Sequence, residues 1–341
     1  MDLFEHITSS RKAGIFSHMS PDGDALGCCF AMGAYLEAAG KEGFRIFLPS
    51  PVSESLRFMI PQGWEEKICV FPDGQDEASR CDLLIGLDFN TPERIGGWEQ
   101  TLVRSKARKV LIDHHLNPAC EMFDLVHSKT DVSSACELLY SLLKAAPGID
   151  GIPSRMSSTM REALMTGMTT DTNNFANSVY PSTLRMASEL LECGTDRDSI
   201  IQNLFFRYPM RRIKAQGYVL EHLLRLTPDG VAYIILDAPT QKMLDLQEGD
   251  TEGFVNIPLS AADVRMSIML KQETEEASRK VRVSIRSKEG TSAQLCAKEH
   301  FHGGGHTLAS GGRLMIGEDI GTMADAERYI VEHTHRFLTE E

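Results

Sequence analysis

Short apolar runs alternate with helical patterns through the first half of the chain, and this alternation limits the fold more than any other feature. Ala13 to Ser17, Phe44 to Leu48, Lys67 to Phe71, Leu83 to Leu87 and Val110 to Ile112 read as strands. Helices are expected from Ala25 to Ala39, where Gly40 supplies the stop, and from Ser133 to Ala145. Apolar strands alternating with helices indicate a parallel sheet covered on both faces, so the fold class is α/β.

Pro147 to Pro153 marks a loop, and helical patterns resume at Ser154 to Gly167 and Pro181 to Cys193. A longer helical stretch, Asp198 to Leu226, reads as a connector. It carries Arg207, Arg211, Arg212 and Lys214, the most basic stretch in the chain, and reads as a solvated helix face rather than a binding patch. The turn Thr227-Pro228-Asp229-Gly230 opens a smaller α/β segment with strands at Val231 to Leu236, Val264 to Leu270 and Val281 to Ile285. A glycine-rich turn and a helix over Thr322 to Leu338 follow. The expected division is a domain over 1–195, a helical connector over 196–227 and a second domain over 228–341. The full 341 residues, 42% of them hydrophobic, suffice for two cores.

Four clusters carry chemistry. His18-Met19-Ser20-Pro21-Asp22-Gly23-Asp24 lies between the first strand and the first helix. Asp88 follows Leu83 to Leu87, Asp113-His114-His115 follows Val110 to Ile112, and Asp171 sits in Thr169-Thr170-Asp171-Thr172-Asn173. The first three lie at carboxyl ends of expected strands, which share one edge of a parallel sheet, where such folds place ligands. Taken singly, Asp22-Gly23-Asp24 is an ordinary turn with a helix cap, Asp88 is a cap or loop residue and Asp171 is uninformative. Taken in order on one sheet edge, they form an oxygen-rich donor set with imidazoles. Such a set suits Mn²⁺, with Mg²⁺ or Fe²⁺ as alternatives, better than a closed zinc site. Four aspartates exceed the needs of one catalytic zinc and would serve two ions sharing a carboxylate.

In the second segment, Gly303-Gly304-Gly305-His306 allows a tight turn that exposes backbone N–H groups to an anion. Arg286, at the end of its strand, suits bidentate phosphate binding, whereas Arg282 fits an exposed strand face.

These motifs resemble the DHH phosphoesterase family over nearly the whole chain, with Gly303 to His306 similar to the substrate motif of its associated C-terminal domain. The resemblance implies a parallel-sheet catalytic domain, a smaller α/β domain and an active site in the cleft between them. It implies that His18, Asp22 and Asp88 hold one Mn²⁺, and that Asp24, Asp88, His114 and Asp171 hold a second, with Asp88 bridging. His115 would face the scissile phosphate and Asp113 would orient the neighbouring histidine. Water would be the nucleophile, without a covalent intermediate. Arg286, Gly303, Gly304, Gly305 and His306 would hold a terminal phosphate or nucleotide. Two departures stand out: relatives often carry Ser where this chain has Cys28-Cys29, and Gly where it has Asn173.

A formal net charge of -13 disfavours a long polyanion, which is held mainly by Lys and Arg on phosphates. The charge only tilts the choice; with the resemblance, short oligoribonucleotides or small nucleotide phosphates are the expected partners, with no long duplex and no membrane. The expected group is that of stand-alone nanoRNases, which also dephosphorylate adenosine 3′,5′-bisphosphate. The alternatives are a phosphodiesterase acting on pApA or cyclic di-AMP and a nucleotide sensor with a silent site. Eight cysteines without a CxxC spacing, no run long enough for a membrane span and an acidic start place the expected protein in the cytoplasm. A homodimer is the ordinary assembly for a soluble enzyme of this kind.

Overall fold

The computed structural model describes residues 2–247, 249–275 and 278–340. The chain forms two compact units, Met1–Arg207 and Tyr208–Glu341, each with its own sheet.

In the first unit the strands are β1 (Ala13–Phe16), β2 (Arg45–Leu48), β3 (Ile68–Val70), β4 (Leu83–Leu87), β5 (Arg108–Asp113) and β6 (Leu125–Ser128). The helices are α1 (Leu3–Ser9), α2 (Gly23–Ala38), α3 (Gln75–Ser79), α4 (Glu99–Arg104), α5 (Ala135–Lys144), α6 (Ser158–Asp171), α7 (Pro181–Glu192) and α8 (Arg197–Phe205). All six strands are parallel, in the order β3-β2-β1-β4-β5-β6. Successive residues point to opposite faces, so Ile15, Ile85 and Ile112 enter the core shared with α2, α5 and α6. Phe16, Leu84 and Leu111 enter a second core with Trp98 and Leu102 on the other side. This burial on both faces is what the continuous apolar strands require. The strand order reverses between β1 and β4, and in open α/β sheets the crevice at that reversal is where ligands bind.

Helices α2 and α6 pack backbone to backbone. A Cβ on Gly27 would stand 2.6 Å from the Ala163 carbonyl and 2.8 Å from Cys136 Sγ. The close approach brings the start of α2 against the end of α6, and so Asp24 towards Asp171.

The second unit holds α9 (Met210–Tyr218), β7 (Leu224–Leu226), β8 (Val231–Leu236), α10 (Ala238–Met243), β9 (Met266–Gln272), β10 (Lys280–Ser287), α11 (Ala293–His300), β11 (Gly304–Gly305), β12 (Ala309–Met315) and α12 (Ala326–Glu340). Its mixed sheet runs β11-β12-β10-β9-β8-β7, with β8 and β9 the parallel pair. Tyr233, Ile268 and Ile285 pack against Cys296, Ala297 and Ile330 of α11 and α12. Ile234, Leu236 and Met269 pack on the opposite face with Val219, Phe254 and Val255.

The stretch expected as one helix from Asp198 to Leu226 is broken. Pro209 follows Tyr208, and a residue before proline is pushed out of the helical region. After α9 comes a π-helical turn over Val219–Leu223, and the chain then pairs antiparallel with β8 as β7. The basic stretch is also not uniformly solvated. Arg212 is buried, stacks on the Tyr208 ring at 3.8 Å and donates to the Glu252 carbonyl, while Arg211 pairs with Asp250 at 2.9 Å. Lys214 is exposed. Among the described residues no helix is long and apolar enough to cross a membrane.

Adding a methyl at Gly27 must push α2 from α6. Gly27→Ala is expected to destabilise the protein by about 1–3 kcal/mol, read as a lower unfolding temperature. Gly43→Ala, where a Cβ would meet nothing within 4 Å, is the matched control.

Candidate metal centre

The centre is built where β1 and β4 diverge. His18 follows β1, and its Nδ1 lies 2.9 Å from the Met19 carbonyl. That bond makes Nδ1 the protonated nitrogen and turns Nε2 inward. Nε2 lies 3.3 Å from Asp88 Oδ2 and 3.7 Å from Asp22 Oδ1. Asp22 is also the N-cap of α2, its Oδ1 accepting from the N–H groups of Asp24 and Ala25 at 3.1 and 3.0 Å. The ordinary cap and the cluster residue are thus the same side chain.

Asp88 occupies the middle. Its backbone adopts φ +61, in the left-handed region, while its N–H continues the ladder to the Ile112 carbonyl at 3.0 Å. Asp and Asn tolerate this conformation better than other residues with a side chain, and such strain concentrates at functional sites. Its carboxylate is 2% exposed as a residue, and Oδ1 is buried without a hydrogen-bond partner. His114 Nε2 stands 3.5 Å from that oxygen, 3.6 Å from Asp171 Oδ2 and 3.9 Å from Asp24 Oδ2. Asp171 arrives as the last residue of α6, not from a strand end.

His115 is oriented differently. Its Nδ1 lies 2.7 Å from Asp113 Oδ1, and its N–H donates to Asp113 Oδ2 at 3.1 Å. Asp113 is fully buried at the end of β5. The pair fixes the ring through Nδ1, and Nε2 is the ring nitrogen that Asp113 does not engage.

The charges conflict without a cation. Burial works against protonating His18, but the bonds to Asp22 and Asp88 override it and lift the imidazole to about 10. Burial likewise opposes protonation of His114, and Asp88 and Asp171 lift it to about 10. Asp88 is held well below the carboxylate range by His114 and His18 despite its burial. Burial and the neighbouring Asp88 push Asp24 up to about 7, and burial beside Asp24 pushes Asp171 well above its ordinary value.

Two overlapping triads have donor atoms within 4.8 Å of one another: His18, Asp22 and Asp88, and Asp24, Asp88 and His114. Asp88, common to both, carries the unpartnered oxygen. A hard divalent cation fits this set of carboxylates and imidazoles. Cys28 and Cys136 also lie near Asp24, but burial raises the Cys28 thiol to about 12 and holds the Cys136 thiol well above its ordinary value, so they are packing groups.

In the second unit, Arg286 pairs in register with Ala309, and its Nη1 donates to the carbonyls of Ile285 and Ser310 at 2.9 and 3.4 Å. The Ser310 hydroxyl donates to the His306 carbonyl at 2.9 Å, so Arg286 of β10 and His306 of the β11–β12 turn lie beside the same end of β12. The glycines serve packing as well as turning. A Cβ on Gly303 would fall 1.9 Å from the Gly311 carbonyl, and Gly305 has φ +148. The Gly303 N–H, expected to face an anion, instead donates to the Ala297 carbonyl.

Sequence reading missed what stands behind Asp24. Its Oδ2 and Oδ1 accept from Ala135 N–H and Cys136 N–H at 2.7 and 2.9 Å. The available signal was Ser134 followed three residues on by Glu137, a helix-start pattern.

Residues 12–168 match the DHH family, N-terminal domain. The chain is 30% identical over 310 residues to the bifunctional oligoribonuclease and PAP phosphatase NrnA of Thermus thermophilus, covering 88% of this chain and 83% of that protein. It resembles the crystal structure of an exopolyphosphatase-related protein from Bacteroides fragilis with a TM-score of 0.86 and 32% identity, covering 99% and 96% of the two chains. The exonuclease RecJ bound to manganese has the same fold, with a TM-score of 0.56 at 15% identity over 98% of this chain and 93% of that one.

Cation binding must displace the protons that His18 and His114 hold at neutral pH. Mn²⁺ titration in buffers of different ionisation enthalpy should therefore report net proton release, to which the raised Asp24 and Asp171 carboxyls also contribute, and affinity should weaken as pH falls.

Proposed function

Since the chain belongs to the DHH family, we propose that this hydrolase is a two-metal phosphoesterase that trims short oligoribonucleotides to mononucleotides and removes the 3′-phosphate of adenosine 3′,5′-bisphosphate. The observation that carries the reading is Asp88. Its buried carboxylate sets Oδ2 beside His18 at 3.3 Å and Oδ1, which has no hydrogen-bond partner, beside His114 at 3.5 Å, so the one side chain can serve both cation subsites. The similarity to the Thermus thermophilus enzyme supports the substrate class.

His18, Asp22 and Asp88 would hold one ion, and Asp24, Asp88, His114 and Asp171 the other. Mn²⁺ suits the mixed imidazole and carboxylate set, and RecJ is known with manganese in the same fold. Two such ions, when bound, lower the pKa of a water and neutralise phosphoryl oxygens in an in-line displacement. The protein's own groups supply orientation. Asp113 holds His115 through Nδ1, and Nε2, which it does not engage, can hold a phosphoryl oxygen or give a proton to the leaving oxygen. Arg286, set by its carbonyl bonds, and His306 are assigned to a terminal phosphate or nucleotide, with Gly303 to Gly305 shaping the β11–β12 hairpin. Recognition by a few cationic groups fits short substrates on a chain of net charge -13.

With Mn²⁺, the purified protein is expected to degrade RNA of two to five nucleotides faster than a strand of two dozen. Equal or greater activity on the long strand rejects the size preference. A parallel panel of adenosine 3′,5′-bisphosphate, pApA and cyclic di-AMP ranks the small substrates. Asn adopts the left-handed backbone as readily as Asp, so Asp88→Asn should fold normally and fall to background turnover. His115→Ala should retain cation binding and lose about 10²–10⁴-fold in kcat. Wild-type protein that binds nucleotide but turns over no phosphate ester would instead be a sensor.

A further inference from the structure

Asp24 enters the centre from the first turn of α2, but its orientation is set from behind. The two N–H groups that its oxygens accept, those of Ala135 and Cys136, are the first two amides of α5. A helix start offers unpaired donors and partial positive charge, and here both are aimed at one carboxylate. Ser134 caps the helix by accepting from Glu137 N–H at 3.0 Å. The Glu137 side chain then folds back. Its Oε2 accepts from Ser133 N–H at 2.9 Å, from the Ser133 hydroxyl at 2.5 Å and from the Thr183 hydroxyl of α7 at 2.6 Å. Thr183 in turn accepts from Tyr180 N–H at 3.0 Å. Glu137 is 4% exposed. Burial opposes its ionisation, yet hydrogen bonds from Ser133, Ser182 and Thr183 hold its carboxyl below the usual range. A buried charge is costly unless well hydrogen-bonded, and this one ties the segment before α5 to the start of α7.

We propose that Glu137 is a positioning residue: it fixes the start of α5 so that the Ala135 and Cys136 amides brace Asp24, and thereby sets the affinity of the cation subsite that Asp24 serves. The inference rests on the reading of Asp24 as a cation ligand. Outer groups that orient a ligand are worth about 10- to 100-fold in metal affinity.

Ala135→Pro is the most direct probe. Position 135 is the first of α5, where proline is well tolerated, and Ser134 before it is extended at φ -164, ψ 162. The substitution deletes one donor to Asp24 and sets the ring Cδ where the N–H pointed, so Asp24 must also shift, while the helix remains able to form. Glu137→Gln keeps the shape and an acceptor oxygen but removes the charge, and Thr183→Val cuts the tie to α7. Folding of each is checked by circular dichroism, and Mn²⁺ affinity is measured by calorimetry alongside turnover. Wild type is expected to bind two ions. Ala135→Pro should weaken one of them about 10- to 100-fold and spare the other, with smaller losses in the same subsite for Glu137→Gln and Thr183→Val. A folded Glu137→Gln protein that binds both ions like wild type overturns the inference alone, whatever Ala135→Pro does. Wild type that binds no Mn²⁺ overturns the metal reading as well.

Discussion

The first unit is arranged around an electrostatic conflict: four aspartates and two histidines are pressed together at the point where the strand order reverses. Asp22, Asp24, Asp88 and Asp171 come from a helix cap, a helix turn, a strand end and a helix end. The imidazoles of His18 and His114 partly relieve the repulsion by holding protons. A protonated imidazole is a poor substitute for a dication, because it offers one directed donor where several carboxylates need a counter-charge. The glycine-mediated approach of α2 to α6 and the left-handed turn at Asp88 both help to assemble this set.

The parallel sheet was legible because its strands are short, apolar and separated by helical patterns, and the meeting of His18, Asp88 and His114 was legible because they follow those strands, whereas Asp171 ends α6. Leu83 to Leu87 appears in the structure with the bounds read from sequence. Elsewhere local pattern was a weaker guide. β12 contains Gly311 and Gly312, which argue against a strand, yet Gly312 is required there because a Cβ would lie 2.2 Å from the Phe301 carbonyl. β6 and β7 are four and three residues long and gain their conformation from pairing with β5 and β8. The α5 amides behind Asp24 were illegible for a different reason: backbone donors leave no trace in residue type. Arg212 carried the opposite problem, a charge that suggested solvent while its guanidinium stacks on Tyr208.

The two departures from the family pattern have separate physical accounts. Asn173 has φ +46, one of three consecutive left-handed residues after α6. Asparagine is among the few residues besides glycine that visit this region readily, so the turn that ends α6 is preserved. Cys28 is fully buried with its sulfur 3.5 Å from Cys136 Sγ, between α2 and α5. It occupies the helix interface behind the donors and contributes small apolar bulk there.

The wide spacing of the donors along the chain bears on how the protein reaches its native state. Strand pairings between β1 and β4, then β4 and β5, must exist before His18, Asp88 and His114 can meet, and α6 must dock before Asp171 joins them. Contacts between distant segments form slowly because loop closure precedes their reward. The repulsion among the aspartates is therefore absent from the open chain and rises only in the last stage of assembly. A divalent ion that recognises the finished arrangement alone would act by mass action on the end of that route, slowing its reversal more than it hastens its start.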